Sequence, residues 1–315
     1  MSAPQVSVII PTCNRPKLLP AAIRSVIGQS FRDFEIVVVD DASDLSTVDL
    51  VKSFQDNRLR WIRHEQRRGG AAARNTGIRS SAGEFVAFLD DDDEWHPEKL
   101  SRQVAVLRGS SSAVGVIYTG CETVDRVSGE VRAKKIPVHK GDLSEILLQG
   151  NCIGSTSSVL MRRQCFEVVG MFDESLPSFQ DYDLWIRLSR VYQFEYLAEF
   201  LLKYHLHSNK IWTNPEAIRR GADMLLEKYG AAPSLRKRCG GYYLSAAAQF
   251  CEVGDNKNAR SALRRAILLD PYDFRPYLYY VLSLLSRTTY QRFQHYKGSI
   301  LSSLASASAN RFCGR

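Results

Sequence analysis

Through the first 120 residues, short apolar runs alternate with segments of helical period. The runs are Val6–Pro11, Phe34–Asp41, a weaker Leu59–His64, Glu84–Asp90 and Ala113–Gly120. Each is short and rich in β-branched or aromatic residues, so each reads as a strand. Between them, helical spacing links Leu18, Leu19, Ala22, Ile23, Val26 and Ile27, then Val48, Val51 and Phe54, then Ala71 to Ser80. Leu100, Val104 and Leu107 repeat the pattern after Pro97, a residue suited to a first helical turn. Strands apolar on both faces, alternating with helices, predict an α/β fold with a mostly parallel sheet covered on both sides. In such sheets ligands bind beyond the carboxyl ends of the strands.

Two of those ends carry acids. One is VVVDDASD, with Asp40 and Asp41; the other is FVAFLDDDDEWHP, where Asp90 to Asp93 and Glu94 follow an apolar run. Charge runs are commonly solvated loops. This one follows a buried strand, and clustered carboxylates repel unless a cation offsets them. An extended backbone would turn Asp90 and Asp92 to one side. Two such carboxylates suit Mg²⁺ or Mn²⁺ beside a phosphate. Asp93 and Glu94 are expected to lead into the next helix and to tolerate substitution. Asp41 either meets a ribose or base edge, or caps the helix after it, as Ser43 or Asp44 also could.

Other stretches leave two readings open. GGAAARNTG, Gly69 to Gly77, permits close approach and brings Arg74, which could reach a phosphate. It fits neither the dinucleotide nor the P-loop fingerprint, and tight helix–strand packing explains it as well. Asp181, in SFQDYDLWIRL, is either a helix cap or a general base. His207 is a metal ligand or an ordinary histidine.

Beyond Gly141 the alternation weakens. A helix is expected over 142–148, a strand over 155–161, a helix over 181–191 and two short strands over 194–207. From about Asn214 the chain turns helical, and Tyr243, Ala246, Ala247, Phe250, Gly254, Ala259, Leu263, Ala266 and Pro271 have the spacing of one tetratricopeptide-like helix pair. One pair is too few for a solenoid, so a helical hairpin is expected. No acid follows Asp273, whereas Arg275, Arg287, Arg292, Lys297, Arg311 and Arg315 do. That basic tail suits an anionic membrane surface or a solvated face. The net charge of +8 favours acidic partners such as nucleotides.

The seven cysteines include no Cys-x-x-Cys pair, which argues against a zinc site or disulfide framework and for a reducing compartment. The N-terminus lacks the pattern of a signal peptide, and no apolar run approaches a membrane span. A cytoplasmic protein is expected, with the tail as a peripheral contact on the inner membrane face.

Four stretches in this order, VSVIIPTCNR, VVVDDASD, GGAAARNTGIRSSAGEFVAFLDDDDEWHPEKL and VGMFDESLPSFQDYDLWIRL, resemble the family 2 glycosyltransferases. The resemblance spans about Gln5 to His207 and implies the GT-A fold: residues 1–120 for the nucleotide-sugar, 121–210 for the acceptor, with 211–315 a helical extension. It implies inverting transfer of a sugar from a nucleotide-diphosphate-sugar to an acceptor hydroxyl. Cell-surface glycan or polysaccharide synthesis and a lipid-linked or glycan acceptor go with it. By position, Pro11 and Asn14 would line the nucleotide, Asp41 would bond the base and Arg74 would lie near the nucleotide. Asp91 would meet the ribose or sugar. Asp90, Asp92 and His207 would hold Mn²⁺ or Mg²⁺, and Asp181 would be the catalytic base. Cys13 departs from the pattern, since many relatives carry Tyr there. Two other readings are a sugar nucleotidyltransferase and a non-catalytic adaptor using the helical tail. The first usually has a Gly-rich loop where this chain has PTCNRPK; the second has no reason to keep clustered carboxylates.

Overall fold

The structure is a computed structural model and describes residues 3–206 and 214–284. Two compact units divide the chain, Met1–Ser208 and Asn209–Arg315. The first unit runs β1 (Val6–Thr12), α1 (Leu19–Ile27), β2 (Phe34–Asp40), α2 (Val48–Lys52), β3 (Leu59–Arg63), α3 (Gly70–Arg79) and β4 (Phe85–Phe88). It continues through β5 (Glu94–Trp95), α4 (Lys99–Gly109), β6 (Val114–Asp125), β7 (Val131–Lys135), α5 (Ser144–Gln149), β8 (Val159–Arg162), α6 (Gln164–Val169), α7 (Gln180–Ser189) and β9 (Gln193–Leu206).

The strands form one sheet in the order β3-β2-β1-β4-β8-β6-β9-β5, with β7 on β6. β1 pairs in parallel with β2 and β4, and β2 with β3. β8 enters antiparallel between β4 and β6, and β6 runs parallel to β9. The period of two explains the layers. Val6, Val8 and Ile10 pack with Leu19, Ala22, Ile23 and Val26 of α1 on one face, while Val37 and Val39 meet Ala73 of α3 on the other. Gly77 lets α3 lie close to β1, because a Cβ there would collide with Ile9 Cγ2.

Three local expectations give way. Residues 194–207 were expected as two short strands; as far as Leu206 they form one strand, β9, whose register against β6 shifts near Thr119–Cys121. An irregularity of that kind breaks the alternation in sequence without breaking the strand. The strand expected over 155–161 begins only at Val159, after a short turn of 3₁₀ helix at Thr156–Ser158. And Glu94 does not lead into a helix: it opens β5, which pairs antiparallel with Leu202 and Lys203 of β9, and α4 starts at Lys99.

The second unit contains α8 (Pro215–Tyr229), α9 (Pro233–Val253), α10 (Asn256–Leu269) and α11 (Arg275–Leu282). Gly254 takes a left-handed conformation, φ 86°, and ends α9. Asp255 then caps α10 by accepting from the Asn258 amide at 3.1 Å. Tyr243, Ala246, Ala247 and Phe250 of α9 and Ala259, Leu263 and Ala266 of α10 are all buried. Among the described residues no helix is long and apolar enough to cross a membrane. The basic tail from Arg287 to Arg315 lies outside the described residues.

Candidate active site

The acid run is a turn, not an extended strand. β4 stops at Phe88, and the Asp93 amide donates to the Asp90 carbonyl at 3.0 Å. A chain reversal gathers the ends of a run that a strand would spread. Asp90, Asp92 and Asp93 each offer a carboxylate oxygen, all within 4.8 Å of one another. Asp91 turns away: it accepts from Thr12 Oγ1 at 2.7 Å and from Arg15 Nη1 at 3.0 Å. Burial pushes the Asp91 carboxyl up to about 6, even though Arg15 and Thr12 pull it down.

Arginines hold the turn from outside it. Arg15 bridges Asp91 and Asp92, the second at 3.1 Å. Arg74 on α3 pairs with Asp90 at 2.6 Å. Arg126, directly after β6, donates to the Asp92 carbonyl at 3.2 Å. Below the turn, Ser157 accepts from the Asp90 amide at 3.1 Å, and its own carbonyl accepts from Trp95 Nε1 at 2.8 Å. Lys99, wholly buried, lies 3.9 Å from the Trp95 ring, and burial drives its amine well below the ordinary lysine value.

Asp93 and Glu94 are not spectators. Asp93 is fully buried, and its carboxylate accepts from the His205 amide at 3.3 Å. Glu94 bonds His205 Nε2 at 2.9 Å. Burial lowers His205 although Glu94 raises it, so this contact is a hydrogen bond to a neutral ring at pH 7. The two acids expected to tolerate substitution therefore fasten β9 to the acid turn just before β9 ends at Leu206. His207 lies outside the described residues.

At the end of β2 the acids are satisfied differently. Asp40 is fully buried and accepts from the amides of Ser43 and Thr47 and from Thr47 Oγ1, at 2.9, 3.2 and 2.9 Å. Burial alone would raise it, but these donors hold it below the ordinary carboxylate value. Asp41 accepts from His64 Nδ1 at 2.7 Å and from the amides of Arg68 and Gly69 at 2.9 and 2.8 Å. It caps no helix. Asn14, in a left-handed conformation at φ 55°, joins the first loop to this one. Its side chain bonds the Asp44 carboxylate and amide, and its own amide meets Ser43 Oγ. Pro11 is the sixth residue of β1, and the Cys13 thiol donates to the Asp41 carbonyl at 3.3 Å.

Asp181 stands in the first turn of α7, preceded by Phe179 at φ 61°, a left-handed conformation that costs about 1 kcal/mol or more. The residue in the capping position is Phe179, so of the two readings open to Asp181 the helix cap falls away. Its carboxylate accepts from the Tyr182 amide at 2.8 Å and from Asn151 Nδ2 at 3.5 Å. Burial pushes its carboxyl up; Arg74 nearby lowers it and Asp90 raises it. Asp181 is thus within electrostatic reach of the acid turn. Arg187, of the same Leu-Trp-x-Arg stretch, does structural work: it pairs with Asp183 at 2.9 Å and donates to the carbonyls of Val169, Gly170 and Met171.

The structure therefore brings Asp90, Asp91, Asp92, Arg74 and Asp181 together, with Pro11, Asn14 and Asp41 at the neighbouring strand ends. Sequence reasoning missed Arg15, Asp93, His205 and His64. Only Arg15 carried a signal, as a cation directly after a strand end in PTCNRP. The donor set of Asp90, Asp92 and Asp93 is all hard oxygen and clustered, which fits a divalent cation of the Mg²⁺ or Mn²⁺ kind.

Clustered acids at the carboxyl edge of an α/β sheet, arginines beside them and the half-buried Asp181 carboxylate within electrostatic reach are the arrangement of a ligand site of the open α/β class. The model for "Glycosyl transferase family 2" matches residues 7–170. The chain belongs to the family 2 glycosyltransferases. An uncharacterized glycosyltransferase of Rickettsia felis is 33% identical over 213 residues, 66% of this chain but 35% of that protein. The match thus takes in about a third of the length of this relative. The amylovoran biosynthesis glycosyltransferase AmsB of Erwinia amylovora is 30% identical over 212 residues, 64% of this chain and 69% of that one. Among solved structures, S. aureus TarS 1–349 in complex with UDP-GlcNAc superposes with a TM-score of 0.61 at 20% identity, covering 92% of each chain. Mannosyltransferase PcManGT from Pyrobaculum calidifontis, in complex with GDP-Man and Mn²⁺, gives 0.55 at 19% identity over 97% of this chain and 87% of that one. At such identities the likeness shows the fold: GT-A, with a C-terminal helical region.

Proposed function

We propose that this chain is a metal-dependent, inverting hexosyltransferase that moves a sugar from a nucleotide-diphosphate-sugar to an acceptor hydroxyl. The observation that carries this is Asp181. It is a half-buried carboxylate pushed upward by desolvation, close enough to Arg74 and Asp90 to feel both charges. That is what a general base facing a donor diphosphate requires.

In this reading Pro11, Asn14 and Asp41 line the nucleoside, Arg74 meets phosphate and Asp91 meets the ribose or the sugar. Asp90 and Asp92, with Asp93 and His207, would hold Mn²⁺ or Mg²⁺. The chemistry a bound cation supplies is neutralisation of charge on the departing diphosphate. Asp181 takes the acceptor proton on Oδ2, whose contact with Asn151 Nδ2 is long at 3.5 Å, while the hydroxyl attacks the anomeric carbon from the face opposite the nucleotide. One base and one displacement invert the configuration, so no covalent sugar–enzyme species forms. Asn151 and the Tyr182 amide keep Asp181 aimed.

Likeness to the amylovoran enzyme supports a place in polysaccharide synthesis. The free cysteines among the described residues suit a reducing, cytoplasmic setting, with the basic tail as a peripheral membrane contact. The test is hydrolysis and transfer with a panel of UDP-, GDP- and dTDP-sugars, with and without Mn²⁺, reading the product anomer by proton NMR. An anomer opposite to the donor's is expected. Retained configuration would sink the single-displacement mechanism; no turnover of any donor would sink the transferase reading.

A further inference from the structure

A buried histidine stands behind Asp41, and neither the family motifs nor the proposed reaction uses it. His64 follows β3 directly and is 7% exposed. Its Nδ1 lies 2.7 Å from Asp41 Oδ1 and its Nε2 lies 2.9 Å from Thr76 Oγ1 on α3. Its amide donates to the Asp40 carbonyl at 2.9 Å, which extends the β2–β3 pairing by one residue. One side chain therefore ties together the ends of β2 and β3 and the middle of α3, two residues from Arg74.

The donor and acceptor roles follow from chemistry. An ionised carboxylate only accepts, so the proton between His64 and Asp41 sits on Nδ1. On the other side of the ring Nε2 meets the Thr76 hydroxyl, a group able to donate or to accept. With the Arg68 amide, His64 fills Asp41 Oδ1; Oδ2 carries one donor from the main chain, Gly69 N. A carboxylate accepts about four hydrogen bonds. The remaining acceptor direction is therefore on Oδ2. A carboxylate with two loose partners could rotate; one clamped at Oδ1 by an imidazole and an amide cannot.

We infer that His64 is a positioning residue for nucleotide recognition: it locks the Asp41 carboxylate so that Oδ2 presents its open lone pair to a base N–H. Thr76 in turn holds the far side of the ring, so that Nδ1 faces Asp41. This rests on Asp41 being the base-binding acid proposed above.

The test is isothermal titration of the full chain with UDP and GDP in Mn²⁺, alongside donor hydrolysis kinetics. His64→Leu should weaken binding of the better nucleotide about tenfold to a hundredfold, the weight of a charge-assisted hydrogen bond. It should raise donor KM correspondingly while kcat stays within about threefold. His64→Asn keeps an N–H where Nδ1 stood and should recover most of the affinity. His64→Gln places its N–H on the Thr76 side and should not. If His64→Leu does not fold, the Asn and Gln pair decides the matter alone. Equal affinity in Asn and Gln variants, or unchanged affinity in the Leu variant, overturns the proposal. Asp41→Asn separates the two layers. Unchanged affinity there removes the Asp41 reading itself; weakened binding there with no effect of His64→Leu removes only the role of His64.

Discussion

The chain places acids at the ends of two strands that flank β1 and treats them in opposite ways. Asp40 at the end of β2, and Asp41 next to it, are satisfied mostly by amides and short side chains of the loops around them, Ser43, Thr47, His64, Arg68 and Gly69, with the Arg63 head standing further from Asp40 at 3.7 Å. Asp90, Asp91 and Asp92 rely on long arginine side chains from elsewhere, Arg15 and Arg74. Backbone donors are fixed by the fold. An arginine head can leave a carboxylate and follow a phosphate, because its stem has rotamers to spare and its fork matches both groups. The difference teaches which acids build the site and which ones work in it. Asp40 is architecture; the acid turn is poised for exchange of partners.

The predictions that test this contrast run from large to small. Asp181→Asn, near the arginine-held end, should lose about 10² to 10⁴ in kcat, the range for a general base. Nucleotide affinity by calorimetry should stay within about threefold. A variant that keeps most of its turnover would show that some other group takes the proton.

The same residue sets a pH dependence. Burial raises Asp181, so the free base is lost as pH falls through a value above that of an ordinary aspartate. The acid limb of kcat/KM should sit correspondingly high. Arg74 lowers this carboxyl, so Arg74→Gln should move the limb to higher pH; a limb that moves down or stays put contradicts the geometry.

Asp92→Asn should cost about 10²-fold or more in kcat/KM and weaken Mn²⁺ binding in the presence of UDP. Its unfolding free energy should change little, since Asp92 is held by an arginine head where Asp40 is held by the amides of Ser43 and Thr47. A large stability loss with intact Mn²⁺ affinity would reverse the contrast. Asp40→Asn is the mirror experiment. An amide group turned toward the Thr47 donors should cost about 2 kcal/mol in urea unfolding, with metal affinity unchanged. The smallest effect is expected for Glu94→Gln, about 0.5–1 kcal/mol, because the amide can still accept from His205. Stability above the wild type's would mean that this clamp is under strain.

Much of the fold was legible because β1, β2 and β4 are buried on both faces, so apolar residues such as Val6, Val8, Ile9 and Ile10 follow one another almost without interruption. The less regular half was harder. β8 is short and runs against its neighbours, and β9 shifts register, so periodicity alone split one strand in two. At the site, the acids announced themselves by clustering after an apolar run. Most of their partners did not: His205 and His64 each looked like any strand-end histidine, and Arg15 was marked only by its place after a strand end.

The acid run shows the limit most sharply. Alternation suggested that Asp90 and Asp92 share a face while Asp93 and Glu94 are spare. The hydrogen bond from the Asp93 amide to the Asp90 carbonyl makes a turn instead, gathers Asp93 with the others, and sends Glu94 into β5. Sequence by itself determined the layered α/β framework, the edge at which ligands meet it and the family, because burial patterns and short motifs are local properties of the chain. Which carboxylate faces which partner was decided only by tertiary structure. Arg15, Arg74, His64 and His205 reach their acids across 76, 16, 23 and 111 residues of chain, and no local pattern encodes a contact at such separations.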